Sequence, residues 1–256
     1  MPIVDGEQLA VAIRSLAVRA GEVILEYYDG KIEVMHKDDE SPVTLADVAA
    51  ERVILDGLAE LTPDIPAVAE EAVAAGKVPD VSGGPFWLVD PLDGTREFIG
   101  CNGEFTVNIA LIEEGWPTLG VVHIPAKGLS CWASGPGRAQ CRDAAGTRAI
   151  AVREPDEAGY VVVASRSHRD ARTDEWLESM AVKSFAAAGS SLKFCLVAMG
   201  EADLYPRLGR TMEWDTAAGH AVLRAAGGSV RTLEGDDLRY GKPGFENPFF
   251  VARGPG

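Results

Sequence analysis

Four shortages narrow the field before any motif is considered. Cationic residues are scarce: 24 Lys and Arg stand against 39 Asp and Glu, a formal net charge of −15. So acidic a chain repels nucleic-acid polymers and anionic membranes, so neither is expected as a partner beyond, at most, peripheral membrane association. No apolar run reaches the length of a transmembrane helix. The opening Met1-Pro2-Ile3-Val4-Asp5 has neither the basic nor the apolar region of a signal peptide, so the expected location is cytoplasmic, at most peripheral to the inner membrane. The four cysteines, Cys101, Cys131, Cys141 and Cys195, include no C-x-x-C pair and are expected as reduced thiols rather than zinc ligands or disulfide partners. Low-complexity segments and internal repeats are also missing. What remains is 46% hydrophobic and 25% charged over 256 residues, long enough for one large domain or two lobes sharing a core.

The most informative stretch runs Phe86-Trp87-Leu88-Val89-Asp90-Pro91-Leu92-Asp93-Gly94-Thr95. Four apolar residues read as a buried strand. Pro91 cannot donate to a sheet ladder, so the strand is expected to stop there, leaving Asp90 at its exit. Asp93-Gly94 is a turn signal, with Gly94 free to take a positive φ. Two aspartates and the Thr95 hydroxyl at a strand end are hard oxygen donors. Such donors suit Mg²⁺, Mn²⁺ or Ca²⁺ rather than zinc or copper. Asp93-Gly94 alone would be an ordinary turn. A second carboxylate beside it costs desolvation and repulsion unless a cation neutralises both.

The rest of the chain mixes helix and strand. Leu9, Ile13, Leu16, Ala20, Ile24 and Tyr27 recur at helical spacing and predict an amphipathic helix over 7–28. A polar hairpin or loop over 31–40 precedes a second helix, with Val48, Val53, Ile54, Leu58 and Leu61 inward. Residues 65–69 read as a strand ending at Glu70-Glu71, and 72–85 as a Gly- and Pro-bearing loop that could act as a flap. Hairpins are expected from 105–112 with 118–123, and from 129–133 with 138–142. His123 lies in an apolar strand and reads as structural. Strand, helix, strand, helix over 159–199 implies a partly parallel sheet. A small-residue helix opens at Glu213-Trp214-Asp215, between short strands over 202–205, 230–232 and 249–251. The fold class is therefore α/β: an α+β lobe over 1–150 and an α/β lobe over 151–256, forming one unit.

Three further carboxylates admit two readings each. Thr44-x-x-Asp47 is a capping box, which by itself accounts for Asp47. Glu70 and Glu71 are a pair of the kind normally found on a solvated surface. Asp215 fits a helix N-cap.

Taken together these segments resemble the inositol monophosphatase superfamily of Mg²⁺-dependent, lithium-sensitive phosphatases. Trp87-Leu88-Val89-Asp90-Pro91-Leu92-Asp93-Gly94-Thr95 is similar to its first signature, and Trp214-Asp215-x-x-Ala-Gly, ending at Ala218-Gly219, to its second. The likeness covers nearly the whole chain and is closest to the bacterial 3′(2′),5′-bisphosphate nucleotidase branch. It implies a layered αβαβα sandwich of the sugar-phosphatase type and two or three Mg²⁺ ions. The implied metal ligands are Glu70, Asp90, the Leu92 carbonyl, Asp93 and Asp215, with Glu71 behind Glu70. Ala69 stands where many relatives have Ser or Gly. Thr95 would orient the attacking water, with Asp47 as its proton acceptor or as a ligand of a third ion. The substrate-binding set implied is Glu70, Leu92, Asp93, Gly94, Thr95, His168, Ser190, Lys193, Arg207 and Asp215. On its own an isolated Lys or Arg is ordinary surface charge. The activity implied is hydrolysis of 3′-phosphoadenosine 5′-phosphate to AMP and phosphate, a step of sulfur assimilation, by a monomer or homodimer acting on a small-molecule nucleotide. The rivals are an inositol or fructose bisphosphate phosphatase of the same superfamily and, more distantly, a non-catalytic metal- or nucleotide-binding protein.

Overall fold

In the computed structural model, the described residues are 6–28, 34–36, 42–165 and 171–255. Helix α1 (Gly6–Tyr28) is followed by the short antiparallel strands β1 (Val34–His36) and β2 (Pro42–Thr44), then by α2 (Leu45–Leu61). The stripe forecast for α1 is buried from Leu9 to Ile24, whereas Tyr27 is exposed. In α2 the inward face is smaller than expected. Ala46, Ala50, Ile54, Gly57 and Leu58 are buried, while Val48 and Leu61 are exposed at 51% and 37%. The helices approach closely where α2 crosses α1: a Cβ at Gly57 would lie 2.1 Å from Leu16 Cδ2.

Next come β3 (Ala67–Ala69), α3 (Glu70–Ala74), β4 (Phe86–Asp93), α4 (Thr95–Ile99), β5 (Thr106–Glu113), β6 (Trp116–Ile124), β7 (Leu129–Ala133), β8 (Ala139–Asp143) and β9 (Gly146–Ala149). These seven strands form one sheet in sequence order; β3 and β4 are parallel and the rest a meander. Strands β10 (Tyr160–Ser165), β11 (Val182–Ala188), β12 (Leu204–Arg207), β13 (Ser229–Thr232) and β14 (Phe250–Arg253) make a second sheet in the order β11-β10-β12-β14-β13. Its helices are α5 (Ala171–Leu177), α6 (Leu192–Ala198) and α7 (Glu213–Ala225). The partly parallel character expected for this half is present, since β10 pairs in parallel with both β11 and β12.

Two cores explain the layers. Trp87 and Val89 pack with α1 and α2, whereas Phe86 and Leu88 pack with α6, α7 and the second sheet. Strand β4 is thus buried on both faces, which is why its sequence is a continuous apolar run without alternation. A small third cluster joins Val162 and Leu204 to Leu177 of α5 on the outer side of the second sheet. The order is helix, sheet, helix, sheet, helix, the αβαβα sandwich. The small residues of α7 allow close approach: a Cβ at Gly219 would meet Phe194 Cδ2 of α6 at 2.4 Å.

Three local expectations are corrected. Strand β4 does not end at Pro91; pairing resumes at Asp93 with Thr106 after an irregularity between Asp90 and Asp93. Pro91 falls within that bulge, where no ladder donor is required. The 72–85 loop begins as the end of α3. Finally, Cys131 and Cys141 are joined as a disulfide, not held as thiols. The β7–β8 register sets them opposite one another with Cα atoms 4.2 Å apart, a cross-strand proximity that a search for C-x-x-C pairs does not see. Among the described residues no helix is long and apolar enough to cross a membrane.

Candidate active site

The parallel strands β3 and β4 end side by side, and each delivers a carboxylate there. Glu70 begins α3 directly after β3, and Asp90 sits 1% exposed where β4 leaves the ladder. The Leu92 backbone N–H donates to Asp90 Oδ1 at 3.0 Å, so the bulge folds around that carboxylate. Gly94 has a φ of 90°, the left-handed conformation its sequence anticipated, and leads into α4. Thr95 Oγ1 lies 3.5 Å from the Leu92 carbonyl oxygen. Across the gap, Asp215 occupies the third position of α7, not the N-cap itself, and accepts the Met212 N–H at 2.8 Å.

These groups line one cleft of about 500 Å³. Glu70, Asp90, Leu92, Asp93, Gly94, Thr95, Ser190, Lys193, Arg207 and Asp215 all face it. Asp47 does not line it. It lies behind, 3% exposed, where its Oδ2 takes the Thr44 N–H at 2.8 Å and the Thr44 hydroxyl at 2.6 Å, the capping box read from sequence. His168 lies outside the described residues.

The electrostatics are dominated by uncompensated negative charge. Burial, and then the charges of Glu70, Asp93, Asp215 and Asp47, hold Asp90 well above the usual carboxylate range. Burial, Asp93 and Glu70 raise Asp215 in the same way. Asp93 is raised to about 6, chiefly by burial, although Lys193 and the Ser191 N–H pull it down. Four carboxylates from three elements, α3, β4 and α7, therefore feel one another, which a fold without a cationic occupant would avoid. Among the described residues no three His, Cys, Asp or Glu side chains already stand as a closed metal cage. The donor set, all carboxylate and carbonyl oxygen, is the one a hard divalent cation takes.

The opposite wall is cationic. Lys193 is 3% exposed, sits 5.2 Å over the Tyr205 ring, and is lowered to about 8 by burial. Arg207 Nη2 donates to the Arg210 carbonyl at 3.1 Å, while its Nε is sealed from solvent with no acceptor. Residues the sequence did not single out support the lining of the cleft. Ser191 N–H donates to Asp93 Oδ2 at 2.6 Å, and Ser191 Oγ joins Thr106 and Asn108 at 2.8 and 2.6 Å. Glu51 Oε2 accepts the Glu71 N–H at 2.8 Å and so steadies the start of α3. The adjacent Ser190-Ser191 pair was a signal for the first; nothing local pointed to Thr106, Asn108 or Glu51.

An αβαβα sandwich with an acidic cleft at the end of its central strands, faced by a buried lysine and a half-buried arginine, defines a phosphatase. The chain belongs to the inositol monophosphatase family, whose model matches residues 5–251. It is 50% identical over 238 residues, 92% of this chain and 95% of the other, to the 3′(2′),5′-bisphosphate nucleotidase CysQ of Salmonella typhimurium. The Escherichia coli (strain K12) protein of the same name is 49% identical over the same length. Among solved structures, CysQ from Bacteroides thetaiotaomicron superposes with a TM-score of 0.82 at 35% identity, covering 96% of this chain and 97% of that one. The inositol monophosphatase of Anabaena (Nostoc) superposes at 0.76 with 25% identity, over 97% and 91%.

Proposed function

We propose that the chain is a Mg²⁺-dependent 3′(2′),5′-bisphosphate nucleotidase that hydrolyses 3′-phosphoadenosine 5′-phosphate to AMP and phosphate. The observation that carries this reading is the pairing, in one cleft, of a mutually repelling carboxylate set with the cationic side chains of Lys193 and Arg207. A substrate with two phosphates has use for both walls; a monophosphate has use for one. The relatives named CysQ support the same substrate class. Glu70, Asp90, the Leu92 carbonyl, Asp93 and Asp215 would hold two Mg²⁺ ions. Bound Mg²⁺ neutralises phosphoryl charge and lowers the pKa of the attacking water.

The chain's own residues do the positioning. Arg207 and Lys193 hold the phosphate that is not cleaved, because a guanidinium and an ammonium are the fitting partners for a dianion. The first turn of α4 and Ser190 border the other phosphate. Thr95 aligns the attacking water, and Asp93 is locked by the Ser191 N–H so that its second oxygen faces the cleft. Asp47 acts from behind Asp90, anchored by Thr44, as proton acceptor or third-ion ligand. Cytoplasmic location, lithium sensitivity, a place in sulfur assimilation, a monomeric or homodimeric state and the two-lobe division at residue 150 belong to the same reading. The deciding experiment is phosphate release from 3′-phosphoadenosine 5′-phosphate and from inositol 1-phosphate, with and without Mg²⁺. A higher kcat/KM for the inositol ester, or equal release in EDTA, would overturn the proposal.

A further inference from the structure

One other place gathers charge of the sign this chain has least of. A hollow of about 620 Å³ between α1 and the β6–β7–β8 region is lined by Arg14, Arg19, Lys127 and Arg142, with His123 at its base. The carboxylates nearby are already engaged. Asp143, which also borders the hollow, is paired to Arg148 and accepts the Ala145 N–H at 2.8 Å. Lys127 Nζ lies 3.7 Å from Glu104. Among the described residues Arg14, Arg19 and Arg142 have no ion-pair partner. Arg14 rests 5.0 Å over the Trp132 ring, and its Nε is sealed from solvent with no acceptor. Arg142 is close enough that its charge, after burial, lowers the Arg14 pKa. Burial holds His123 down to about 4, so at neutral pH its ring brings hydrogen bonding and no charge.

Although the protein has 39 acidic residues, among the described residues none is ion-paired with either guanidinium. Two like charges facing one hollow are unfavourable unless an anion sits between them. Paired guanidinium forks match the tetrahedral oxygens of phosphate. We propose that this hollow is a second anion site, taking a phosphate group, free or carried on a small ester, between Arg14 and Arg142. The inference stands apart from the chemistry assigned to the cleft, because it uses none of the cleft's residues.

The test is amide chemical-shift mapping of the full chain in EDTA, titrated with inorganic phosphate and separately with ribose 5-phosphate. Saturable shifts at Arg14, Gly128, Ser130 and Arg142 are expected, and the tighter of the two titrations names the source. Arg142 is exposed on its strand, so Arg142→Glu should fold normally; it should weaken binding at the hollow by about tenfold or more, as expected for losing a hydrogen bond to a charged partner. Phosphatase activity without added phosphate should not change. Arg14→Gln, which removes the charge but leaves a polar, unbranched side chain, should weaken it likewise. Shifts confined to the cleft, or an unchanged dissociation constant in both variants, would overturn the proposal.

Discussion

Replacing Asp93 by Asn separates what the cleft does for chemistry from what it does to the fold. Asp93 has a folded-state pKa of about 6 against an ordinary value of 3.8. The folded state therefore holds the proton more tightly than the unfolded state. Its contribution to stability is fully present below the unfolded value and is lost as pH rises through 6, so at pH 7.5 the ionised, metal-free form is at a disadvantage. A shift of about two units corresponds to ~3 kcal/mol. The side chain is only half-buried, and screening on the cleft side brings the expected figure to about 1 kcal/mol. An Asn keeps an oxygen for the Ser191 N–H, which now donates to Oδ2 at 2.6 Å, so the local geometry survives. In EDTA at pH 7.5, Asp93→Asn should thus raise Tm by about 2–4 °C, the shift expected for 1 kcal/mol in a chain of this size. The gain should vanish at pH 4. In Mg²⁺ the same variant should release no measurable phosphate. Differential scanning fluorimetry and a phosphate-release assay read the two halves. A lower Tm in EDTA, or turnover within tenfold of the parent, would refute the reasoning.

Three other perturbations probe the remaining walls. Asp47→Asn retains a capping oxygen for Thr44 and should leave Tm within a few degrees; a loss of kcat of about 100-fold, typical for removing a general base, would identify a catalytic carboxylate, and unchanged kcat would reduce Asp47 to a cap. Arg207→Ala should raise KM for 3′-phosphoadenosine 5′-phosphate by about 10- to 100-fold, the worth of a hydrogen bond to a charged group. It should leave KM for a monophosphate ester within twofold or so, as steady-state kinetics on both substrates will show. Glu213 is fully buried and accepts the Gly241 and Lys242 N–H groups at 2.8 and 2.9 Å, besides pairing with Lys242 Nζ at 2.6 Å. Glu213→Ala should cost about 3 kcal/mol by stranding those donors, measured by urea unfolding, with kcat of the remaining folded enzyme unchanged.

Much of this was legible along the chain because local rules and tertiary demands agree there. The β4 run is apolar because it is buried on both faces, the capping box at Thr44 is a contact over three residues, and Gly94 is required by its own φ. The failures sit where a partner distant in sequence decides. Val48 fits the apolar pattern of α2, but the face buried in the core is that of Ala46, Ala50, Ile54 and Leu58, and Val48 is left exposed. Pro91 looks like a stop until Thr106 takes up the pairing beyond it. Cys131 looks solitary until the β7–β8 register brings Cys141 opposite. Glu51, Thr106, Asn108 and Ser191 were missed for the same reason, since each acts through a hydrogen bond to a residue in another element.

The acidic residues show why composition and site must be argued together. Thirty-nine carboxylates on a surface explain nothing by themselves. Asp90, at 1% exposure and under the field of Glu70, Asp93, Asp215 and Asp47, is a different matter, because burial there costs most when the group is charged. A fold optimised only for stability would replace it with Asn or Leu. Retaining it makes sense if the folded chain spends its working life with a cation in the cleft, since anything that binds the folded form alone offsets the penalty by mass action. It follows that the pH dependence of stability should reverse on adding Mg²⁺: rising pH weakens the metal-free fold and, by deprotonating the ligands, strengthens the loaded one.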